Sequence, residues 1–502
     1  MRTADIISPF EQSDLVRDGD GLLWFGDLPR TYPAVLEEIV RARPSTVAVV
    51  DSDDTAVTYE QLWDRALRVA GGLRDAGVAP GDRVAIDLGN SLPWVETFLG
   101  TLLAGGVAVP VDQRANRRAQ QAVLADADPR LVVDPGTPAP IGTPFRAGAT
   151  AADLAQMLYT SGTTGEPKGV MISQRNLAAL GEITRRVMAV DMASEHRIRN
   201  VVAIPLCHAA GCNAQLLPTL ALGGTVLLTR STSAGHIIDV ARRHRADTIL
   251  AVPAVYQLLT QREPAALSAL TSLQRVYYGA APIAESLISR LRTLLPHARL
   301  GNAYGMTEIN NIALFLPDEM AQSHHDSVGF PVPGVEVAIG DPDANGHGEL
   351  FLRGPNMALG YWRKPELTAE TFRTGWVRSG DIATVDTQGL VYIRDRIKDV
   401  INRGGEKIFT VEVENTLLSH PDIDEAAVIP VADEVMGEKV GAIVVLRPDR
   451  DLTESAVLAH VTHLLPRYCV PERLVLRTKP LPRGGSGKIL KAQLRRELGW
   501  HG

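Results

Sequence analysis

Several features that mark special classes of protein are scarce or missing in this sequence. It has 3 cysteines in 502 residues, too few for a disulfide framework, which indicates a reducing compartment. No apolar run reaches the roughly 18 residues of a membrane-spanning helix, and the first residues contain no apolar core for a signal peptide. We therefore expect a cytoplasmic protein with no membrane span.

An excess of basic residues is also missing. The chain has 51 Lys and Arg against 58 Asp and Glu, which gives a formal net charge of -7 at pH 7. Nucleic acid and anionic membranes favour a basic surface, so we expect neither as the main partner. An anionic ligand would have to be met by local cations. Since 502 residues exceed what one hydrophobic core usually supports, we expect at least two domains.

Candidate metal ligands are crowded at one place only. Cys207, His208 and Cys212 lie close together, but no second ligand pair follows at a recognisable spacing. Structural zinc sites need four ligands, usually as two such pairs. We therefore do not expect a zinc site.

Residues 160–169 are rich in glycine and in hydroxyl side chains, and they include a lysine, Lys168. Glycines let backbone N–H groups turn toward an anion, hydroxyls add donors, and the lysine adds a full positive charge. The stretch is not a Walker A loop, because Lys168 follows Pro167 and precedes Gly169 rather than Ser or Thr. The alternative is a glycine-rich surface loop between two strands. We interpret it as a phosphate cradle.

Short apolar runs alternate with helical patterns along most of the chain. Residues 58–61 predict a capping box that begins a helix through Leu73. Strands are expected at 84–86, 107–111, 131–133, 200–206, 225–228, 248–252, 275–278 and 299–303. This alternation predicts an α/β fold with parallel-rich sheets, which bind ligands beyond the carboxyl ends of their strands.

The pattern changes near residue 328. Apolar runs at 335–339, 348–352 and 390–393, separated by glycine and proline turns, predict a small antiparallel β unit. From Arg396 onward, helices over 411–418 and 454–465 with strands at 426–429 and 441–446 predict a separate compact α+β domain. We therefore expect a large N-terminal domain over residues 1–395 and a small C-terminal domain over residues 396–502.

Three further stretches carry groups suited to a nucleotide. In residues 302–308, Tyr304 can stack on a purine, Thr307 can bond a phosphate and Glu308 can hold Mg²⁺. Residues 378–381 are expected to form a turn in which Asp381 accepts hydrogen bonds from both ribose hydroxyls. Residues 482–488 present Lys488 on a glycine-rich loop. Each stretch alone also fits a capped strand end, a common turn or a solvated lysine.

Together, in this order and at this spacing, the four stretches resemble the ANL superfamily of adenylate-forming enzymes. That superfamily includes acyl-CoA synthetases, the adenylation domains of peptide synthetases and firefly luciferase. The resemblance runs from about residue 58 to residue 491, which is nearly the whole chain. It implies a phosphate cradle at 160–168, an adenine-binding turn at 278–282, and a mobile C-terminal domain that rotates about a hinge at Lys398.

The resemblance also implies roles for individual residues. Catalysis would fall to Lys488, which reaches the α-phosphate, and to Lys168, Glu308 and His208, while Glu308 and Thr160 would hold the metal. The residues expected to contact the nucleotide are Thr160, Ser161, Gly162, Thr163, Thr164, Gly279, Ala280, Ala281, Asn302, Ala303, Tyr304, Gly305, Met306, Thr307, Asp381, Ile393, Arg396 and Lys398.

The implied reaction joins two anions with the help of ATP and Mg²⁺. The carboxylate of an organic acid attacks the α-phosphate of ATP, pyrophosphate leaves, and the acyl adenylate then passes its acyl group to an acceptor. Mg²⁺, Lys168 and Lys488 would offset the repulsion between the two anions. No covalent enzyme intermediate is needed, which fits the lack of an obvious nucleophile with its base.

The acid pocket is expected to be lined by residues 206–212, 279–281 and 305–306 and by Tyr256. A lone histidine is usually a satisfied core residue, but the position of His208 at a strand end favours contact with the acid or the nucleotide. Residues 204–212 lack the acidic residue of amino-acid-activating relatives, and Ala209 replaces the asparagine of catechol-acid ligases. We therefore expect an apolar or aromatic carboxylic acid of modest size.

The expected acceptor is a thiol, because residues 401–414 resemble the CoA-ligase form of this segment. Thr410 stands where many CoA ligases have proline, a departure that slightly weakens the CoA assignment. Only 14 residues follow Lys488, so we expect CoA, or the thiol of a carrier protein, to act in trans. An amide-forming enzyme and a catalytically silent adenylate-binding protein are the alternatives. We expect a monomer or a homodimer.

Replacing Lys488 with alanine tests the catalytic role assigned to it. We expect Lys488→Ala to abolish adenylate formation, because the positive charge at the α-phosphate is lost, and to leave transfer from a preformed adenylate largely intact. Pyrophosphate release and acyl transfer measure the two steps separately. Lys479→Ala, at a lysine outside the four stretches, is the control, and equal loss of both steps in Lys488→Ala would contradict the role.

Overall fold

The computed structural model describes residues 2–3, 6–161, 166–483 and 489–500 of the chain. Within these residues there are five sheets: one of nine strands, two of six strands, one of five strands near the C-terminus and a two-stranded hairpin. The α-helices span Tyr32–Ala42, Tyr59–Asp75, Leu92–Leu103, Arg117–Ala127, Gln174–Val187, Ala209–Gly211, Leu217–Ala221, Ala234–Arg243, Pro253–Arg262, Pro264–Ser268, Glu285–Leu294, Pro365–Thr371, Thr410–Leu418, Glu454–Leu464 and Lys491–Glu497. None of these helices is both long enough and apolar enough to cross a bilayer.

The largest sheet has nine strands and a parallel centre. Its strand order is Phe330–Pro331, Leu314–Leu316, Arg299–Tyr304, Arg275–Gly279, Thr248–Ala251, Arg199–Val202, Thr225–Leu228, Val47–Val50 and Ala56–Thr58. The six strands from Arg299–Tyr304 to Val47–Val50 are parallel to their neighbours, and the outer strands are antiparallel. The strand expected over 200–206 ends at Val202, before Pro205, because proline lacks the N–H that sheet pairing uses.

The second sheet is mixed and contains the hairpin expected to hold phosphate. Its strand order is Gly360–Tyr361, Pro167–Ser173, Leu154–Ser161, Val107–Pro110, Arg83–Ile86 and Leu131–Val133. The strands Leu154–Ser161 and Pro167–Ser173 pair antiparallel, with Lys168 opposite Thr160. The stretch interpreted as a phosphate cradle therefore has its two ends on paired strands, and its residues 162–165 lie outside the described residues.

The third sheet is the expected antiparallel β unit. Its strand order is Arg2–Thr3, Glu336–Gly340, Gly348–Arg353, Trp376–Val385 and Phe372–Arg373, with Val391–Arg396 beside Trp376–Val385. Asp381 was expected in a turn, but it lies inside the long strand Trp376–Val385. The pairing register of this strand shifts at Ile382, and Gly380 has a φ of 71°, so a bulge interrupts the strand where the sequence suggested a turn. A separate hairpin joins Leu15–Arg17 and Leu23–Phe25.

The C-terminal sheet has cores of its own on both faces. Its strands are Glu406–Ile408, Ile401–Arg403, Gly437–Leu446 and Ile423–Asp433, with Arg473–Arg477 beside Gly437–Leu446. Along Ile423–Asp433, Ala426 and Val428 pack on one face with the helices Thr410–Leu418 and Glu454–Leu464, while Ala427 and Ile429 pack on the other with Lys491–Glu497. Among the described residues, both clusters are built only from residues after 400.

The first predicted helix forms for the reasons that its sequence indicated. Thr58 caps the helix Tyr59–Asp75, and Gln61 returns the bond, which completes the predicted capping box. The buried side chains Leu62, Ala66 and Leu73 recur at helical spacing and face the main core. The predicted α/β class, with a large parallel-rich part and a smaller C-terminal part, is confirmed.

A network of buried amides fixes the loop that follows strand Arg299–Tyr304. Asn213 donates to Gln156 Oε1 at 2.8 Å and also donates to Asn310. Asn310 donates to the carbonyl of Asn176 at 3.1 Å. Asn356 donates to the carbonyls of Ile309 and Ile312 at 2.8 and 2.7 Å. The five amide residues of this network are Gln156, Asn176, Asn213, Asn310 and Asn356. These residues are almost fully buried, so their amides have little contact with water. The loop that carries Glu308 is therefore hydrogen-bonded to three segments distant in the sequence, at Asn176, Asn213 and Asn356.

Replacing Gly305 tests how tightly this loop is packed. A Cβ at residue 305 would lie 1.4 Å from the carbonyl oxygen of Asn311, so the loop would have to move. We expect Gly305→Ala to lower the free energy of unfolding by about 1–3 kcal/mol, as overpacking usually does. Gly148→Ala is the matched control, because nothing lies within 4 Å of a Cβ there. Equal melting temperatures for the two variants would contradict the prediction.

Candidate active site

The predicted adenine turn lies at the carboxyl ends of two neighbouring parallel strands. Gly279 ends one strand and pairs with Ala303 on the next. A Cβ at residue 279 would lie 2.2 Å from the carbonyl oxygen of Ala303, so only glycine allows these backbones to approach. Ala280 follows with a left-handed φ of 65°, and both Ala280 and Ala281 are exposed. The turn thus leaves a narrow open edge at the place where ligands of parallel sheets bind.

Tyr304, Asp381 and Arg396 come together from two sheets. The hydroxyl of Tyr304 donates to Asp381 Oδ2 at 2.5 Å, and Arg396 Nε lies 3.4 Å from Asp381 Oδ1. Burial raises the pKa of Tyr304 well above its usual value, and the charge of Asp381 raises it further, so the phenol remains a donor. Tyr304 and Arg396, which were assigned to the nucleotide from separate stretches, therefore both contact Asp381.

Lys168, Tyr361 and Glu308 form a second group. The ammonium of Lys168 lies 5.7 Å from the centre of the Tyr361 ring, and the hydroxyl of that tyrosine donates to Glu308 Oε1 at 2.7 Å. Burial raises the pKa of Tyr361, and the charge of Glu308 adds to the rise. Tyr361 therefore connects the two groups expected to meet the phosphates and the metal.

Tyr361 is a site residue that the sequence analysis missed. Its short strand, Gly360–Tyr361, pairs with the strand of Lys168 and places Tyr361 opposite Val170. The ring packs edge to face on Phe372, and the Tyr361 N–H donates to Thr368 Oγ1 at 2.9 Å. No local pattern marked this tyrosine, because its partners are distant in the sequence.

His208 lies beside a charged pair that the sequence analysis also missed. Its Nε2 is 2.8 Å from the guanidinium of Arg114 and 3.4 Å from Asp112 Oδ2. A guanidinium can only donate, so Arg114 is the donor in its contact with Nε2. Burial raises the pKa of Asp112, but the contacts with His208 and Arg114 outweigh it and hold the pKa below its usual range. The carboxylate is therefore ionised and already paired.

Asp112, Cys207 and His208 are close enough to suggest a metal site, since their potential ligand atoms lie within 4.8 Å of one another. Burial and the charge of Asp112 raise the pKa of Cys207 to about 12, so its thiol stays protonated. Metals bind the thiolate form, and Arg114 already supplies a positive charge to the other two groups. The residues present here do not fit a metal ion.

Tyr256 and Cys212 are more deeply buried than a pocket lining requires. Tyr256 was expected to line the acid pocket, but it is 1% exposed, and its hydroxyl lies 2.8 Å from the carbonyl oxygens of Ile249 and Tyr277. It is a core residue of the large sheet. Cys212 is fully buried, and Gln156 donates to its sulfur at 3.7 Å.

The remaining predicted residues differ in position. The side chain of Asn302 donates to the backbone carbonyl of Ser327 at 3.1 Å, a buried contact within the protein. Met306 and Thr307 are partly buried in the loop before Glu308, Ile393 pairs with Ala383 in the antiparallel sheet, and Lys398 is exposed. Gly162, Thr163, Thr164, Lys488 and the side chain of Ser161 lie outside the described residues.

Cavity size does not locate this site. Two adjoining cavities of about 590 and 300 Å³ share His196 and Arg199 as lining residues. Arg199 begins a strand of the nine-stranded sheet, so these cavities lie at the amino ends of the strands. Tyr304, Asp381 and Arg396 meet beyond the opposite, carboxyl ends.

Comparison with known families decides the identity of the chain. Residues 36–142 and 137–362 match the family model described as AMP-binding enzyme, and residues 412–488 match the model described as AMP-binding enzyme C-terminal domain. The chain is a member of this family of adenylate-forming enzymes. Its predicted membership of the ANL superfamily and its predicted class, an AMP-forming ligase, are confirmed. The roles of single residues and the domain boundary at residue 395 stay predictions.

Relatives of this AMP-binding enzyme cover nearly its whole length. Feruloyl-CoA synthases from Amycolatopsis sp and Streptomyces sp are each 35% identical over 91% of this chain and 98% of the relative. The fatty acid–[acyl-carrier-protein] ligase ScoC of Streptomyces coeruleorubidus is 32% identical over 90% of this chain and 93% of its own.

Solved structures of the family share the fold. The o-succinylbenzoate CoA synthetase MenE from Bacillus subtilis, in complex with its acyl-adenylate intermediate, matches with a TM-score of 0.82 and 26% identity over 92% of this chain and 97% of its own. The amide bond synthetase McbA from Marinactinospora thermotolerans matches with a TM-score of 0.82 and 28% identity over 93% and 99%.

Removing the Tyr361 hydroxyl tests whether this AMP-binding enzyme needs the link between Lys168 and Glu308. A hydrogen bond to a charged group contributes about 1.5–3 kcal/mol, so we expect Tyr361→Phe to lower kcat/KM for ATP roughly tenfold. Steady-state pyrophosphate release measures the effect. Tyr392→Phe is the matched control, because Tyr392 donates to Asp386 at 3.1 Å outside the site. Equal activity in the two variants would contradict the prediction.

Proposed function

We propose that this protein is an AMP-forming acid–CoA ligase that activates an apolar or aromatic carboxylic acid with ATP and transfers the acyl group to coenzyme A. The observation that carries the proposal is the meeting of two groups at one strand end. Tyr304, with Asp381 and Arg396, lies four positions before Glu308, which reaches Lys168 through Tyr361. One segment thus joins a ribose-binding group to a phosphate-binding group.

The nucleotide is held by residues of both groups. Asp381 would accept hydrogen bonds from the ribose hydroxyls, and Arg396, whose side chain is 49% exposed, would reach the ribose or the α-phosphate. Lys168, on the hairpin, would neutralise the departing pyrophosphate. Lys488 would bring a second positive charge to the α-phosphate from the domain proposed for residues 396–502. The two lysines would offset the repulsion between the acid and ATP.

The residues around Glu308 fit a magnesium ion. Tyr361 donates to Glu308 Oε1, and within the described residues Oε2 has no hydrogen bond. Mg²⁺ prefers carboxylate oxygens together with phosphate oxygens, and Glu308 is a partly buried carboxylate linked to Lys168 through Tyr361. We assign Glu308 and Thr160 as its protein ligands. The ion would supply positive charge to the phosphate oxygens.

The acid is proposed to carry no amine. An amino-acid substrate needs a free carboxylate near its ammonium group, and the carboxylate of Asp112 beside His208 is already paired with Arg114. The small residues of the adenine turn, Gly279 to Ala281, leave room for a flat group. The similarity to feruloyl-CoA synthases supports an aromatic acid with a short side chain.

The acceptor is proposed to be CoA, with two alternatives. The similarity to CoA ligases supports CoA. The similarity to ScoC supports a carrier-protein thiol, and the structural similarity to McbA supports an amine. Thr410, in place of the proline of many CoA ligases, keeps the amine alternative open.

A pyrophosphate-release screen tests the proposed acid. We expect release with ferulate or benzoate to exceed release with phenylalanine at least about tenfold, because Asp112, the carboxylate beside His208, is already paired with Arg114 and cannot balance an ammonium group. Lys168→Ala, which should lose release with every acid, shows whether the signal comes from this site. The proposal would be contradicted if phenylalanine were the only acid that causes pyrophosphate release, or if none of the tested acids did. Mass analysis of the products with CoA or with an amine then identifies the acceptor.

A further inference from the structure

A buried carboxylate links the antiparallel sheet to the C-terminal part of the chain. Asp395, at the end of strand Val391–Arg396, is 2% exposed. It accepts from the N–H of Thr410 and, at 3.1 Å, from the Thr410 hydroxyl. Oδ1, which accepts from the Thr410 hydroxyl, also accepts from the N–H of Arg396 at 2.7 Å. The first residue of helix Thr410–Leu418 is thus bonded twice to the strand before the proposed hinge at Lys398.

Lys491 extends this contact to the C-terminal helix. Its ammonium donates to the Thr410 hydroxyl at 2.9 Å and to Glu414 Oε1 at 2.7 Å. Glu414 also accepts from the N–H of Val428 at 2.7 Å. Lys491 is the first residue of helix Lys491–Glu497 and stands three positions after Lys488.

The hydroxyl of Thr410 both donates and accepts a hydrogen bond in this network. A hydroxyl has one proton, which goes to Asp395, and its lone pair accepts from Lys491. Burial raises the pKa values of Asp395 and Glu414, and the positive charge of Lys491 opposes both rises. Without the hydroxyl, Lys491 loses its connection to Asp395. Proline at residue 410 would provide neither the hydroxyl nor the N–H.

The network continues to the nucleotide residues. Asp395 precedes Arg396, which contacts Asp381, and Asp381 accepts from Tyr304. A chain of contacts therefore runs from the start of the C-terminal helix to the residues proposed to hold the ribose.

We propose that Thr410 is a positioning residue for adenylate formation: through Lys491 it fixes the start of helix Lys491–Glu497, three positions after Lys488 in the sequence, relative to Arg396 and Asp381. The inference rests on the proposed function, because it takes Lys488 as the group that meets the α-phosphate. Thr410 itself touches no substrate in this role.

Removing the Thr410 hydroxyl tests the inference. We expect Thr410→Val to slow adenylate formation about tenfold in single-turnover pyrophosphate release, with the KM for ATP changed less than about twofold, because ATP is bound by other residues. Transfer from a preformed adenylate to CoA should change less than adenylate formation. Thr410→Ser, which restores the hydroxyl, should recover most of the rate.

The control for Thr410→Val is Thr416→Val. Thr416 lies in the same helix, and its hydroxyl donates to the backbone carbonyl of Glu412 at 2.9 Å outside the network. Should Thr410→Val fold poorly, Lys491→Met, which removes the donor to the Thr410 hydroxyl, is expected to give the same pattern. Equal rates in Thr410→Val and Thr416→Val, or equal loss of both half-reactions, would overturn the inference.

Lys488→Ala separates failure of this inference from failure of the proposed function. If Lys488→Ala abolishes adenylate formation and the Thr410 and Lys491 variants change nothing, Lys488 acts without help from Thr410, and only this inference is wrong. If Lys488→Ala retains full adenylate formation, the proposed function of that segment fails first.

Discussion

Repulsion between two anions is the physical constraint on which this structure depends. A carboxylate must approach a triphosphate in a protein whose own net charge is -7. We propose that the positive charge at the meeting point of the two anions comes from Lys168, over the ring of Tyr361, and from Arg396, beside Asp381. Each cation is held by an aromatic ring or a carboxylate, so it is oriented before any ligand arrives.

The fold supplies a rigid edge for these charges. Parallel strands end side by side at Gly279 and Ala303, and the loop after Tyr304 is fixed by buried amides from distant segments. Amides hold the loop of Glu308 in place without adding charge near the proposed phosphate-binding residues. A network of charged residues would have competed with the phosphates.

Much of the candidate site could be proposed from the sequence because the groups suited to a nucleotide lie in short stretches, and the roles of these residues stay predictions. The cradle near Lys168, the strand end at Tyr304 to Glu308 and the acid at Asp381 each combine several informative residues within a few positions. The α/β class followed from the spacing of apolar runs, since that spacing reflects burial directly. The sequence predicted a turn at Asp381 because serine and glycine precede it. In the structure, strand Trp376–Val385 pairs with three neighbouring strands, and this pairing outweighs the local preference for a turn.

The residues that were missed share one property, which is that their partners are far away in the sequence. Tyr361 meets Glu308 across 53 positions, Arg114 meets His208 across 94, and Lys491 meets Thr410 across 81. Periodicity and motif spacing carry no information on such pairs. Tyr256 shows the opposite error, since a residue near the expected pocket turned out to belong to the core.

The pairing of Asp112 with Arg114 bears on how enzymes of this kind diverge. A carboxylate already stands beside His208, and one neighbouring guanidinium keeps it occupied. Loss of that guanidinium alone would give the pocket an unbalanced negative charge of the kind that attracts an ammonium group. In the proposed site, the choice between an acid without an amine and an acid that bears one would therefore depend on whether the carboxylate of Asp112 is paired.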